Sequence, residues 1–221
     1  MSMEQSVRPS PGPTRASVGE SRGERKELTR RAILEATLVL CEDSSLVALS
    51  LRQVAKEVGI VPTAFYRHFD SIEDLGLALV EESFVSLRAM LRDVRRSDPT
   101  YRNIIDNSVK VLREHVHDRH AHFSFIARER VAGPTAVRAA IRHQIELVER
   151  ELAADLARLT DPEHWSTDDL RVLSNLIVTL MVGTAEAILN ARPEVEGEIV
   201  DQARTQLRMM LVGALRWRST T

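Results

Sequence analysis

Between Pro62 and Phe69 the chain reads PTAFYRHF, and this short run holds its densest set of groups able to meet a nucleic acid. Thr63 and Ala64 are small enough for a backbone to approach base edges. Tyr66, Arg67 and His68 then supply a phenol, a guanidinium and an imidazole in succession. Such groups donate to phosphate oxygens, and an arginine can also bridge the O6 and N7 of a guanine. On an arbitrary helical protein the same residues would be one solvated face, so the frame that presents them decides their meaning.

That frame is explicit. Leu51, Val54, Ala55 and Val58 recur at i, i+3, i+4 and i+7, which predicts a two-turn helix with one apolar side. Ser50 precedes it and Gln53 follows three residues later, a capping box. Gly59 supplies the left-handed conformation that closes a helix. Pro62 suits the first turn of a second helix, predicted over Pro62–Phe69 with Phe65 and Phe69 turned inward. Two short helices in this relation make a helix-turn-helix whose second helix is shaped for a DNA major groove. Upstream, Lys26–Glu42 is predicted as a helix with Leu28, Ala32, Ile33, Ala36, Val39 and Leu40 inside. Thr29, Arg30 and Arg31 near its start suit backbone phosphates. Residues 1–24 include RPSPGP, lack a periodic apolar face and are expected to form a disordered arm.

The segment from Thr29 to Leu79, through its elements TRRAILEAT, LSLRQVAKEVGI, FYRHF and SIEDLGLALV, resembles the DNA-binding domain of TetR-family transcriptional regulators. The wording PTAFYRHF followed by DLG, with RERVAG, QLRM and a late GALRW, is similar to the FabR/DesT-like branch, which controls fatty-acid unsaturation in response to acyl thioesters. The resemblance spans about Arg25 to Trp217. It implies that Thr63, Ala64 and Arg67 face base edges of an operator. It further implies that Thr29, Arg52, Tyr66 and His68 hold phosphates or aim the helix. Val61 and Ile72 stand where the family often has a serine and a phosphate-contacting lysine, so neither contact is carried over.

Composition sets the remaining limits. The 221 residues are 43% hydrophobic but only 4% aromatic, which suits a helical core of Leu, Val, Ile and Ala; strand patterns are almost absent, and the expected class is all-α. The formal charge is −2, and residues 22–69 hold eight Lys and Arg against six Asp and Glu. DNA affinity must therefore come from focused contacts and from pairing of two copies, not from bulk charge. The lone cysteine, Cys41, lies in an apolar pattern and reads as a small core residue. With no apolar run judged long enough to span a bilayer, a cytoplasmic protein without membrane contact is expected. No P-loop, GxGxxG, GxSxG or HExxH frame is present, so neither an enzyme nor a cofactor is expected.

From Ser71 onward the predicted elements are long. Ser71 and Asp74 cap a helix running to about Arg96, with apolar residues on two sides; it links the helix-turn-helix domain, residues 25–70, to a ligand-binding and dimerisation domain, residues 71–221. Helices follow over Pro99–His117, Ala121–Val131 and Thr135–Leu159. His115, Asp118 and His122 fall at i, i+3 and i+7, but without a supporting zinc motif the run reads as a solvated histidine-rich turn rather than a metal site. Thr167–Ala191 is apolar nearly all round and Glu196–Trp217 shows Ile199, Ala203, Leu207, Met210, Ala214 and Trp217 on one face. Two such closing helices fit a four-helix homodimer interface. Glu186 reads as a pocket or interface carboxylate paired with an arginine. The expected effector site is walled by Phe84, Leu87, Leu91, Leu112, Phe123, Ile126, Leu180 and Met181, a lining suited to a hydrocarbon chain. Arg128 and Arg130 either meet a phosphate-bearing head or pair with Glu129 or Glu186. Together with the resemblance this predicts a repressor of fatty-acid genes responding to a long-chain fatty acyl-CoA. The alternatives are a repressor of an efflux or catabolic operon with another hydrophobic effector, and a cavity-free architectural DNA binder.

Overall fold

The structure, a computed structural model, describes residues 22–97, 103–158 and 165–219. Among them are nine α-helices and one 3-10 turn, with no strand. They are α1 Arg22–Asp43, the turn Leu46–Ala48, α2 Leu51–Val58, α3 Pro62–Phe65, α4 Ile72–Ser97, α5 Ile104–Asp118, α6 His120–Ala132, α7 Thr135–Ala157, α8 Thr167–Leu189 and α9 Pro193–Leu215. The expected arm at 1–24 lies outside the described residues except for its last three, which open α1. The start of the helix expected over Pro99–His117 and the last residue of that expected over Thr135–Leu159 also lie outside them.

The signals for helix ends act as read. The Ser50 hydroxyl accepts from the Gln53 N–H while the Gln53 side chain accepts from the Ser50 N–H. Gly59 sits at φ 74°, and the Ile60 N–H reaches back to the Ala55 carbonyl at 2.9 Å. Ser71 caps α4, and Asp74 turns back to the Asp70 N–H rather than to that of Ser71.

Two apolar cores result. The first joins Ile33, Leu34 and Leu38 of α1 to Val54, Phe65 and Phe69, and continues through Leu75, Leu79 and Phe84 of α4 to Phe125, Val137 and Ile141. It therefore runs across the boundary expected at residue 70. The inner stripe of α1 differs from the expected one. Leu28 and Val39 are more than half exposed, and Thr37, Leu38 and Cys41 are buried instead. Thr37 is accommodated because its hydroxyl donates to the Ile33 carbonyl at 2.7 Å. The second core joins Met90 of α4 and Val109, Leu112 and Val116 of α5 to Ala185, Ile188, Val200, Ala203 and Leu207.

The faces of α8 and α9 need correction. Ala203 and Leu207 are buried inside the protomer, so they cannot lie on an outward interface. The apolar residues left outside are Val172 and Leu176 on α8 and Met209, Val212 and Leu215 on α9. α8 is also long and apolar enough to cross a membrane by length and composition, contrary to the sequence expectation, though here it packs against α5, α6, α7 and α9.

Candidate functional site

The recognition element is shorter than expected. Regular α-helix ends at Phe65, and the chain closes through tighter turns in which Arg67 N–H meets Ala64 O at 3.2 Å and His68 N–H meets Phe65 O at 2.8 Å. Phe65 and Phe69 are both buried with ring centroids 5.7 Å apart, and they pin this turn to the core. The Arg30 guanidinium caps the Phe69 ring at 4.6 Å. With the phenylalanines inside, Thr63, Tyr66 and Arg67 are exposed, Ala64 is half-buried, and Arg52 is exposed on the preceding helix. Thr29 is half-buried and its hydroxyl is already spent on the Arg25 carbonyl, at 2.9 Å.

His68 is half-buried, and its buried Nδ1 has no protein partner. Burial first, then Lys26, Arg30 and Arg67, hold its pKa below the ordinary 6.5. An imidazole crowded by three cations marks a locally positive surface that favours an anion such as a phosphate.

The second feature is a cavity of about 300 Å³ between α4, α5, α6, α7 and α8, with Leu207 and Leu211 of α9 also on its wall. Phe84, Leu87, Leu91, Leu112, Phe123, Ile126, Arg130 and Met181 border it, while Leu180 packs in the surrounding core without reaching it. Arg128 points elsewhere. Its Nη2 donates to the Glu42 carbonyl of α1 at 2.7 Å. Arg130 lies on the wall with its Nε donating to Glu186 Oε1 at 2.5 Å. Ile145, Val148, Leu152 and Leu156 of α7 add to the lining. Their spacing of three and four residues was visible in the sequence but could equally have marked ordinary core.

The histidine-rich run does not converge. His117 faces Glu196 at 3.0 Å, His120 faces Glu42 at 3.8 Å, and His122 shares a 3.0 Å hydrogen bond with Ser83. Among the described residues no group of three or more potential ligands could hold a metal ion. Glu129, which sequence reasoning treated only as a partner for arginine, is fully buried and accepts from the Leu46 N–H at 3.0 Å and the Ser45 hydroxyl at 3.2 Å. Burial pushes its carboxyl up, against the opposing pull of those two donors and of Arg128. Cys41 is also buried, and burial together with Glu129 pushes its thiol up to about 12.

A helix-turn-helix carried on a helical body with a lined apolar cavity defines a DNA-binding regulator with room for an effector. The family model for "Bacterial regulatory proteins, tetR family" matches residues 33–79, and that for "Tetracyclin repressor-like, C-terminal domain" matches residues 101–215. The chain belongs to the TetR family of transcriptional regulators. Its fold is similar to that of a TetR-family regulator from Agrobacterium tumefaciens, at 17% identity over 82% of this chain and 98% of the other, with a TM-score of 0.64. A TetR-family regulator from Syntrophomonas wolfei matches at 10% identity over 84% and 96%, TM-score 0.68. The multidrug binding protein EbrR, complexed with imidazole, matches at 22% identity over 82% and 93%, TM-score 0.60. Family members are regulators rather than enzymes; they bind DNA operators and generally act as dimers with small-molecule effectors.

Proposed function

We propose that this chain is a cytoplasmic, homodimeric repressor that releases or grips a palindromic operator according to whether a long-chain effector occupies the cavity. The observation that carries the effector reading is the lining. Aliphatic, methionine and phenylalanine side chains surround the space, and among its few polar wall groups is one ion pair, Arg130–Glu186. Each buried methylene contributes roughly 0.8 kcal/mol, so an acyl chain gains strongly before ordering costs. A long-chain fatty acyl-CoA is the specific candidate, with its chain in the cavity and control of fatty-acid biosynthesis or desaturation genes as its purpose. With Arg128 turned to α1, Arg130 alone of the two is left for a phosphate-bearing head. That loss favours, as a second reading, another hydrophobic small molecule and an efflux or catabolic operon, in line with the multidrug ligand range in the name of EbrR.

Thr63, Ala64 and Arg67 are the proposed base readers, with Arg52, Tyr66 and His68 positioning the backbone. The dimer forms through the outward apolar residues of α8 and α9. The decisive experiment maps genomic binding sites, then measures operator affinity at fixed salt with a saturated, a monounsaturated and no long-chain acyl-CoA. Identical affinities would remove the acyl ligand. On the recovered operator, Arg67→Ala should cost about 1–3 kcal/mol and relax one base position.

A further inference from the structure

Three consecutive residues of α6 reach three different places. Arg130 stands on the cavity wall with Glu186, Glu129 holds the Leu46 N–H and the Ser45 hydroxyl, and Arg128 holds the Glu42 carbonyl. The Glu129 contacts lie on the stretch that joins α1 to the helix-turn-helix, and the Arg128 contact lies just before it, in the last turn of α1. Ser45 is the cap residue of the short turn Leu46–Ala48, yet its own side chain caps nothing there. A carboxylate 83 residues away in sequence takes over, accepting from the first N–H of that turn.

The arrangement around this carboxylate is tight. Gly133 donates its N–H to the Glu129 carbonyl, and a Cβ on Gly133 would lie 2.7 Å from Glu129 Oε2, so the carboxylate has room only because no side chain is there. Leu46 in turn fills the space over Gly76 of α4 and beside Val137 of α7. From Leu46 the chain runs through three residues to the Ser50 capping box and α2. Leu46 is therefore one of the points at which the DNA-binding unit is seated on the body, beside the packing of α1 on α4 and α6. A buried carboxylate is a costly way to fill space, since an apolar side chain would avoid its desolvation. What it supplies that an apolar residue cannot is a pair of directed acceptors.

We propose that Glu129 is a positioning residue for DNA binding, holding the Leu46 turn in a register that follows the state of the Arg130–Glu186 pair on the cavity wall. Neighbouring side chains on a helix are fixed about 100° apart, so a shift of the last turn of α6 when that pair opens carries the Glu129 carboxylate off the Leu46 N–H. An effector that separates Arg130 from Glu186 thus loosens the seat of the recognition element without touching it. The inference rests on reading the cavity as the effector site, but its test contains no effector, so the two can fail separately.

Amide hydrogen exchange of the full chain is followed across 43–58 in the parent, Arg130→Gln, Glu129→Ala and the double variant. Arg130→Gln should speed exchange at 45–49 by about tenfold, the loss expected when one hydrogen bond no longer protects a local unit. Glu129→Ala should speed it similarly, and the double variant should add nothing. Glu129→Gln, which keeps an oxygen for the Leu46 N–H, should stay near the parent until Arg130→Gln is added, and it serves if the alanine variant does not fold. A carboxylate that is merely structural would leave exchange at 45–49 indifferent to Arg130→Gln, or would give effects that multiply in the double variant. Either result overturns the proposal.

Discussion

The two cores differ in how they are filled. The first, under the helix-turn-helix, packs Phe65, Phe69 and Phe125 to 2% exposure or less, with the equally buried Phe84 standing between it and the cavity. Its neighbouring helix ends are closed by side-chain and glycine caps. The second core borders the cavity, and several of its residues stay partly accessible because their neighbour is that cavity. A head that must present a fixed set of groups to a rigid duplex gains from close packing. A body that must admit a ligand and change with it needs walls that can move.

The comparison is most exposed to core truncation. Phe65→Ala should cost about 3–5 kcal/mol, because the lost contacts leave a void in a filled region. Met181→Ala, on the cavity wall, should cost nearer 1 kcal/mol, because it enlarges a space that already exists. Urea denaturation of both variants measures the gap, and equal losses would end the distinction. Glycine substitutions probe the same contrast from the other side. At Gly76 a Cβ would stand 2.7 Å from Leu46 Cδ1 and 2.9 Å from Val137 Cγ2, whereas nothing lies within 4 Å at Gly197. Gly197→Ala should gain up to about 1 kcal/mol of helix propensity. Gly76→Ala should lose that gain to overpacking and come out up to about 2 kcal/mol worse than the parent in thermal unfolding.

A smaller effect is expected at the cap. Ser50→Ala removes the hydroxyl that accepts from the Gln53 N–H, while the backbone N–H at position 50 can still donate to the Gln53 side chain; it should cost about 1 kcal/mol, read as a lower urea midpoint with unchanged slope. The last contrast is electrostatic. Glu196, at the start of α9, is held below the ordinary 4.5 by His117 and then Arg113, whose hydrogen bonds outweigh its burial. A lowered carboxyl stabilises the fold above pH 4.5 and loses that contribution as pH falls through its folded value. Glu196→Gln should therefore be less stable than the parent at neutral pH, with the difference shrinking below pH 4.5. A constant difference across that range would show that the carboxylate acts only through packing.

Much of the head could be read from the chain because its signals are local. Ser50 with Gln53, Gly59 at positive φ and Pro62 each act within a few residues, so the elements they bound follow directly. The shortness of α3 could not be read, since two aromatic anchors four residues apart fit either a full helix or the tighter turn found. In the body, periodicity gave the helices but not their facing. α9 carries apolar residues on both sides, and only tertiary packing turns Ala203 and Leu207 inward and Met209 and Val212 outward. Arg128 and Arg130 stood equally near the expected cavity in sequence. Two positions apart on a helix they diverge by about 200°, and the partners that separate them, Glu42 and Glu186, are far off in the chain.

The state of Cys41 has a practical consequence for watching this molecule work. Its thiol is buried and held protonated far above neutral pH, and it is the only cysteine in the chain. Maleimide dyes and spin labels react through the thiolate, so the folded protein behaves toward them as though it had none. A single cysteine introduced on an exposed position of the head, such as Thr63→Cys, would then carry the only probe on each copy, with the native residue left in its core. In a dimer the separation of the two probes could be followed by energy transfer or pulsed dipolar spectroscopy as candidate effectors are added.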